Sequence, residues 1–244
     1  MKENKYDNME FFNQYKQMAR SVDGLKSAGE WHVFEKMLPS LENKNILDLG
    51  CGFGWHCRYA VEKGAKSVVG IDISERMINE AKEKTTSKLI EYIQKPIEDV
   101  EYPDGKFDVA ISSLALHYLE SCEETFNKVS KWLTPEGRFV FSVEHPIFTS
   151  NEKQDWYYDD KGNIIHWPVD NYLKEGIRKT NFLGEEVTKY HKTITNYINS
   201  LIKAGFEIVE INEPEPDPKL SEKYQGMKDE LRRPMFIIIS AKKK

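Results

Sequence analysis

Residues 45–59 read NILDLGCGFGWHCRY, a short apolar run that breaks into glycines at every second position, Gly50, Gly52 and Gly54, before Trp55 and His56. Glycines straight after a strand let the backbone turn tightly and come close to a ligand, because a side chain there would collide with it. The helix that starts near Gly54 offers unpaired N–H groups to whatever occupies the turn. Asp72 closes the next apolar run, SVVGID (67–72), at the distance where a carboxylate grips a ribose diol. Glycine loop and acidic strand end together indicate an adenosine-containing ligand.

The spacing within the loop separates two such ligands. A dinucleotide fold uses Gly-x-Gly-x-x-Gly, the third glycine easing helix packing behind a pyrophosphate. Here bulky Trp55 stands where that glycine would be, and Asp48 precedes the loop by two positions. A carboxylate at that place repels phosphates and attracts an ammonium, so a ligand with an amino-acid head suits the loop better.

Outward from the loop, β-branched runs alternate with helical patterns, the signature of a parallel sheet covered by helices. Strands are expected at 45–50, 67–72, 89–94, 107–113 and 138–143, with helices near 54–64, 75–84 and 122–133 and a turn at Pro135 and Gly137. Phe11, Phe12, Tyr15, Met18 and Ala19 mark one amphipathic helix ahead of the first strand. Residues 144–190 show no clean period and read as an insertion carrying Trp156, Tyr157, Tyr158 and Trp167. Those aromatics either wall off a small acceptor or pack on one another. Ile194, Tyr197, Ile198, Leu201 and Ile202 form a helical stripe, and strands follow at 206–211 and 235–241, the last predicted antiparallel.

The 244 residues fit one α/β domain, with residues 1–44 as an N-terminal cap and 144–190 as a lid. A net charge of −5 gives no basic footprint for nucleic acid, no apolar run reaches the roughly 20 residues of a membrane span, and the first residues carry no secretory pattern. Cys51, Cys57 and Cys122 form no Cys-x-x-Cys pair, so neither a disulfide framework nor a zinc site is expected, and a cytoplasmic location is.

The motifs LDLGCGFG, VVGIDIS and FDVAISSLALHYL resemble the class I S-adenosylmethionine-dependent methyltransferases over residues 45–143. GEWHVFEKMLP, GWHCRYA, FSVEHPIF, KYHKT and ELRRPMF are similar to a bacterial group of small-molecule methyltransferases, over nearly the whole chain. The resemblance implies a Rossmann-like seven-stranded sheet of order 3-2-1-4-5-7-6, S-adenosylmethionine as cofactor, and a small-molecule substrate with no nucleic-acid or membrane partner. It implies Gly50, Cys51, Gly52 and Gly54 against the methionine part, Asp48 near its amino group, Asp72 on the ribose and Ile73 beside adenine. Met77 either packs on adenine or serves the core. Pro96 stands where relatives carry an Asp, leaving the adenine edge to the backbone of Ile97 or Glu98. Ser112 and Ser113 pass under the methionine, and Arg20 either clamps its carboxylate or is a surface charge.

Transfer to a hydroxyl or ammonium needs a proton acceptor, most often histidine. His117 and His145 follow the fourth and fifth strands, at the carboxyl ends where open α/β sheets bind ligands. Both are candidates to face the acceptor, or are satisfied structural histidines. The expected reaction is methylation of an oxygen or nitrogen. The alternatives are a non-catalytic module that binds the cofactor and, less in keeping with the glycine spacing, a nicotinamide oxidoreductase.

Overall fold

The computed structural model describes residues 4–223 and 227–244. Three short helices lead into the sheet: α1 (Met9–Lys16), α2 (Ala19–Val22) and α3 (Trp31–Met37). The single amphipathic helix predicted through Ala19 breaks after α1, because Met18 is extended and starts α2 as its N-cap. The Asn8 side chain caps α1, accepting from the Phe11 N–H at 3.0 Å.

The sheet then builds as expected: β1 (Asn45–Leu49), α4 (Trp55–Glu62), β2 (Ser67–Asp72), α5 (Glu75–Glu83), β3 (Ile90–Gln94), β4 (Phe107–Ser113), α6 (Cys122–Trp132) and β5 (Leu133–Glu144). β5 begins earlier than the sequence suggests. Pro135 and Gly137 lie inside it, where Glu136 takes a φ of 65° and the pairing with β4 shifts register between Phe107 and Val109.

The segment after β5 carries α7 (Pro146–Thr149) and two hairpins, β6 (Tyr157–Tyr158) with β7 (Ile164–His166), and β8 (Gly176–Phe182) with β9 (Glu185–His191). The second hairpin turns on Leu183 and Gly184, both at positive φ, the twist that suits a two-residue hairpin turn. Then come α8 (Ile194–Lys203), β10 (Phe206–Asn212), α9 (Pro218–Lys223) and β11 (Phe236–Lys243). The central sheet has the order β3-β2-β1-β4-β5-β11-β10, with β11 antiparallel to both neighbours. This is the seven-stranded α/β arrangement anticipated from the sequence.

Each face of the sheet buries its own core. Phe126, Val129 and Trp132 of α6 and Tyr197 and Leu201 of α8 pack on one face with Phe139 and Phe141 of β5. Trp31 and Phe34 of α3, Cys57 and Ala60 of α4 and Ile78 of α5 cover the other. Among the described residues no helix is long and apolar enough to cross a membrane.

Candidate active site

A cavity of about 470 Å³ lies over the carboxyl ends of the parallel strands. That is within the usual size of small-molecule sites. Its floor is the turn from β1 to α4. Gly50 and Cys51 both donate their N–H groups to the Ile71 carbonyl at 2.8 Å, which pins the turn to β2. All three loop glycines have positive φ, but they do different work. A Cβ on Gly50 would stand 2.3 Å from the Ala115 Cβ, and one on Gly54 would stand 2.1 Å from the Tyr92 hydroxyl. Those two glycines permit close packing within the protein. A Cβ on Gly52 would meet nothing within 4 Å, so Gly52 is the glycine that keeps open space for a ligand. Gly54 does not line the cavity; it is the N-cap of α4.

Asp72 lines the cavity and accepts from the Gly52 N–H and the Ser74 N–H, both at 2.9 Å. Burial pushes its carboxyl up to about 6, partly countered by those donors. Ile73, Met77, Pro96, Ile97 and Glu98 continue the wall. Met77 is 2% exposed and belongs to a small cluster with Phe12 and Phe53, so it serves core and cavity together.

The structure turns several expected site residues away from the cavity. Asp48 is fully buried, accepts a hydrogen bond from the Cys57 thiol at 3.2 Å, and has one carboxyl oxygen with no partner. Burial raises its carboxyl to about 7, and it is not among the residues that line the cavity or its annex. Ser112 donates to the Leu49 carbonyl at 2.8 Å, a strand-to-strand tie, while its neighbour Ser113 faces the cavity. His145 is also fully buried. It caps α7 by accepting from the Ile147 N–H at 3.0 Å, and its Nε2 reaches Glu213 at 2.7 Å. Cys51 lines a small annex beside the loop, together with His56. Burial lowers His56 to about 3 among Trp31 and Phe34, which leaves it a neutral core ring.

At the far end His117 does line the cavity. It is 2% exposed, and burial lowers its pKa to about 4, so the ring is neutral near pH 7. The Glu144 backbone N–H donates to its Nδ1 at a long 3.4 Å, which favours the tautomer protonated at Nε2. Burial works against charge on Glu144, but His117, the Lys189 ammonium and hydrogen bonds from Lys189 and Gln154 hold its carboxyl below the usual range. Lys189 of β9 pairs with it at 2.5 Å and is 3% exposed.

The roof of this chamber comes from residues not singled out in the sequence, most of them within the segments read as N-terminal cap and lid. Phe182, Val187 and Tyr190 of the β8–β9 hairpin line it, with Tyr6 from the N-terminal segment and Tyr118 after β4. The Tyr6 and Tyr118 hydroxyls meet at 3.1 Å across the opening. The aromatic run of the insertion packs on itself instead. Trp156 and Trp167 meet edge to face, Phe148 stacks on Trp167, and the Arg233 guanidinium lies 4.2 Å from the Trp167 ring. Arg20 lines the cavity and is tied to buried Glu30 at 3.0 Å.

The residues fit a nucleoside bearing an amino-acid head. Open space over Gly52, a carboxylate at the end of β2 and a guanidinium beside the loop complement such a ligand part by part. Among the described residues no cluster of three or more His, Cys, Asp or Glu could hold a metal ion.

Comparison with known proteins agrees with that geometry. Residues 47–141 match the model of the methyltransferase domain family. The chain is 41% identical to an S-adenosylmethionine-dependent methyltransferase from Mesorhizobium loti of known structure, covering 90% of this chain and 100% of that one with a TM-score of 0.84. It is 55% identical to a provisionally assigned S-adenosylmethionine-dependent methyltransferase from Listeria monocytogenes, covering 91% and 99% with a TM-score of 0.86. An uncharacterised protein of Haemophilus influenzae is 34% identical over 98% of this chain and 96% of its own.

Proposed function

The chain belongs to the S-adenosylmethionine-dependent methyltransferases, and from that premise we propose that it methylates an oxygen or nitrogen of a small polar molecule held between His117 and the β8–β9 hairpin. The observation that carries this reading is one cavity of about 470 Å³ joining the glycine loop to a neutral histidine and an ionised carboxylate. When bound, S-adenosylmethionine supplies a methyl group activated by a sulfonium. A nucleoside with an amino-acid head takes up much of a cavity of this size, so the space left suits a small acceptor.

The work of the protein is then positional and electrostatic. Asp72 receives the ribose hydroxyls, Ile73, Met77 and Ile97 sandwich the base, and Ser113 and the backbone after it carry the central part. The Tyr6–Tyr118 contact and Phe182 exclude water, which favours a displacement whose charge is being dispersed. An acceptor hydroxyl or amine must lose a proton. His117 is uncharged and able to take it, and ionised Glu144 steadies the imidazolium that results.

Methyl-labelled cofactor offered with a panel of small alcohols, phenols, amines and carboxylates tests the proposal. Label should appear on an oxygen or nitrogen of a small acceptor. Transfer only to carbon, or no transfer while S-adenosylhomocysteine binds tightly, would overturn it.

A further inference from the structure

A belt of rings closes the chamber around His117. The His117 and Tyr118 rings lie 4.6 Å apart, centroid to centroid, and Tyr118 meets Tyr6 edge to face at 6.2 Å. Phe11 joins Tyr6 to Phe182 of the hairpin through two further edge contacts. The Lys189 ammonium stands 5.5 Å from the Phe182 ring and pairs with Glu144, whose cross-strand partner on β11 is Phe236. Tyr6, Tyr118, Phe182 and Phe236 line the cavity, and Tyr190 joins them. Walls with so many aromatic faces suit a flat, apolar body.

Charge on these walls is already committed. Among the described residues only two basic side chains line the cavity, Lys5 and Arg20. Arg20 is tied to Glu30 at the glycine-loop end, and Lys5 to Glu185 at 3.5 Å. Behind the wall, Lys189 is held by Glu144, and buried Lys192 donates to the carbonyls of Leu119 and Tyr190. Exposed Glu120 adds a further negative charge to the lining. An acid entering here loses its water and finds no unpaired cation, so desolvation opposes it. A cationic amine is opposed as well. The ammonium groups of Lys189 and Lys192 already stand over the Phe182 and Tyr190 rings, each at 5.5 Å, and take the π attraction that a second cation would need.

The proton acceptor narrows the choice further. His117 is a weak base, its pKa lowered to about 4, so it draws a proton readily only from a hydroxyl that is itself acidic. A phenol ionises at about 10, as tyrosine does, far more readily than an alkyl alcohol.

We propose that the acceptor is an uncharged phenol, laid among Tyr6, Tyr118, Phe182 and Phe236 with its hydroxyl toward His117. This rests on the proposed function and names the substrate class of the same site. The phenol oxygen bonds to the methyl carbon as the carbon–sulfur bond breaks with its electron pair to sulfur, and the phenolic proton passes to His117.

Calorimetry on the complex with S-adenosylhomocysteine tests the charge preference with three probes of one shape: para-cresol, which is neutral, para-hydroxybenzoate, an anion, and tyramine, a cation. Para-cresol should bind at least about tenfold more tightly than either ion. An ion that binds as tightly as para-cresol, or no binding by any of the three, would overturn the proposal. Glu185→Gln releases the Lys5 ammonium and should raise the affinity for para-hydroxybenzoate several-fold while para-cresol stays level. No gain, or an equal gain for both, also overturns it. The labelled-methyl panel separates this inference from the reading beneath it. Label on a phenol in preference to amines and carboxylates supports both. Preference for an amine or a carboxylate keeps the proposed function and removes the phenol, and transfer to no acceptor at all removes both.

Discussion

Gly52 and Gly54 stand two positions apart in one loop, yet replacing them should do opposite things. Gly54→Ala drives a Cβ to 2.1 Å from the Tyr92 hydroxyl at a φ of +72°, so overpacking and backbone strain combine. The expected loss is about 2–4 kcal/mol in urea melts, partly restored when Tyr92→Phe is added. Gly52→Ala enters empty space and should cost the fold about 1 kcal/mol while abolishing most affinity for S-adenosylhomocysteine. Asp72 sets a pH limit on the same binding. Burial raises its carboxyl to about 6, and only the ionised form accepts from both ribose hydroxyls. Cofactor affinity should therefore be level above neutrality and decline as pH falls through 6, an edge that Asp72→Asn should remove along with much of the affinity. His56 governs stability instead. Unfolded, it takes up a proton near 6.5, but folded it resists until about 3, so its contribution is intact above 6.5 and lost as pH drops through that window. His56→Phe should retain its Tm in acid better than the parent, the gap widening as pH falls below 6.5. Much of this residue scale was legible in the sequence. Gly50, Cys51, Gly52, Asp72, Ile73, Pro96, Ile97, Glu98, Ser113, Arg20 and His117 all lie on the cavity or its annex. Where the expectation missed, strand alternation explains it. Adjacent residues point to opposite faces, so Ser113 displaces Ser112, and Glu144, not His145, meets the cavity.

The β8–β9 hairpin is the element the sequence hid. Its inward positions are Arg178, Thr180, Val187, Lys189 and His191, nearly all polar, so the alternation of apolar and polar residues that marks a strand is missing. Arg178, Lys189 and His191 find partners that no local pattern shows, while the buried Thr180 hydroxyl has none among the described residues. Arg178 donates to the carbonyls of Ser150 and Lys174, and His191 meets Thr149 at 2.7 Å. The Glu144–Lys189 pair bolts this hairpin to the end of β5. Lys189→Met leaves a buried carboxylate uncompensated and should cost about 3–5 kcal/mol in denaturant melts; adding Glu144→Gln should return most of it, which a double-mutant cycle would register as strong coupling. The helices and strands of the sheet were easier to read because their buried positions are apolar. Those of α6 and α8 fall at helical spacing, and β11 buries the run Ile237, Ile238 and Ile239.

Across the whole molecule, the proposed function has its two ligands served by different parts of the chain. The sheet and its loops hold the cofactor side, while segments before and after the first five strands meet over the acceptor. Asp7 joins them. Its carboxylate accepts from the Ser74 hydroxyl at 2.6 Å and the Arg76 N–H at 3.1 Å, and Ser74 in turn donates its N–H to Asp72. Lys5 pairs with Glu185 at the hairpin turn at 3.5 Å. Contacts such as these span distant positions in the chain and leave no periodic trace, so the closed acceptor chamber was not foreseeable from the sequence.

The hairpin's independence from the central sheet has a further consequence. Among the described residues β8 and β9 pair only with each other, and they contribute Phe182, Val187 and Tyr190 to the chamber without supplying a strand to the central sheet. Such a part can be exchanged as a cassette. On the proposed function, a chimera that receives residues 151–191 from a relative, together with the Glu144–Lys189 tie that seats them, should inherit a new acceptor preference on an old cofactor platform. Within such a lineage, diversification of substrate would be written in this cassette, while the loop around Gly52 stays as it is.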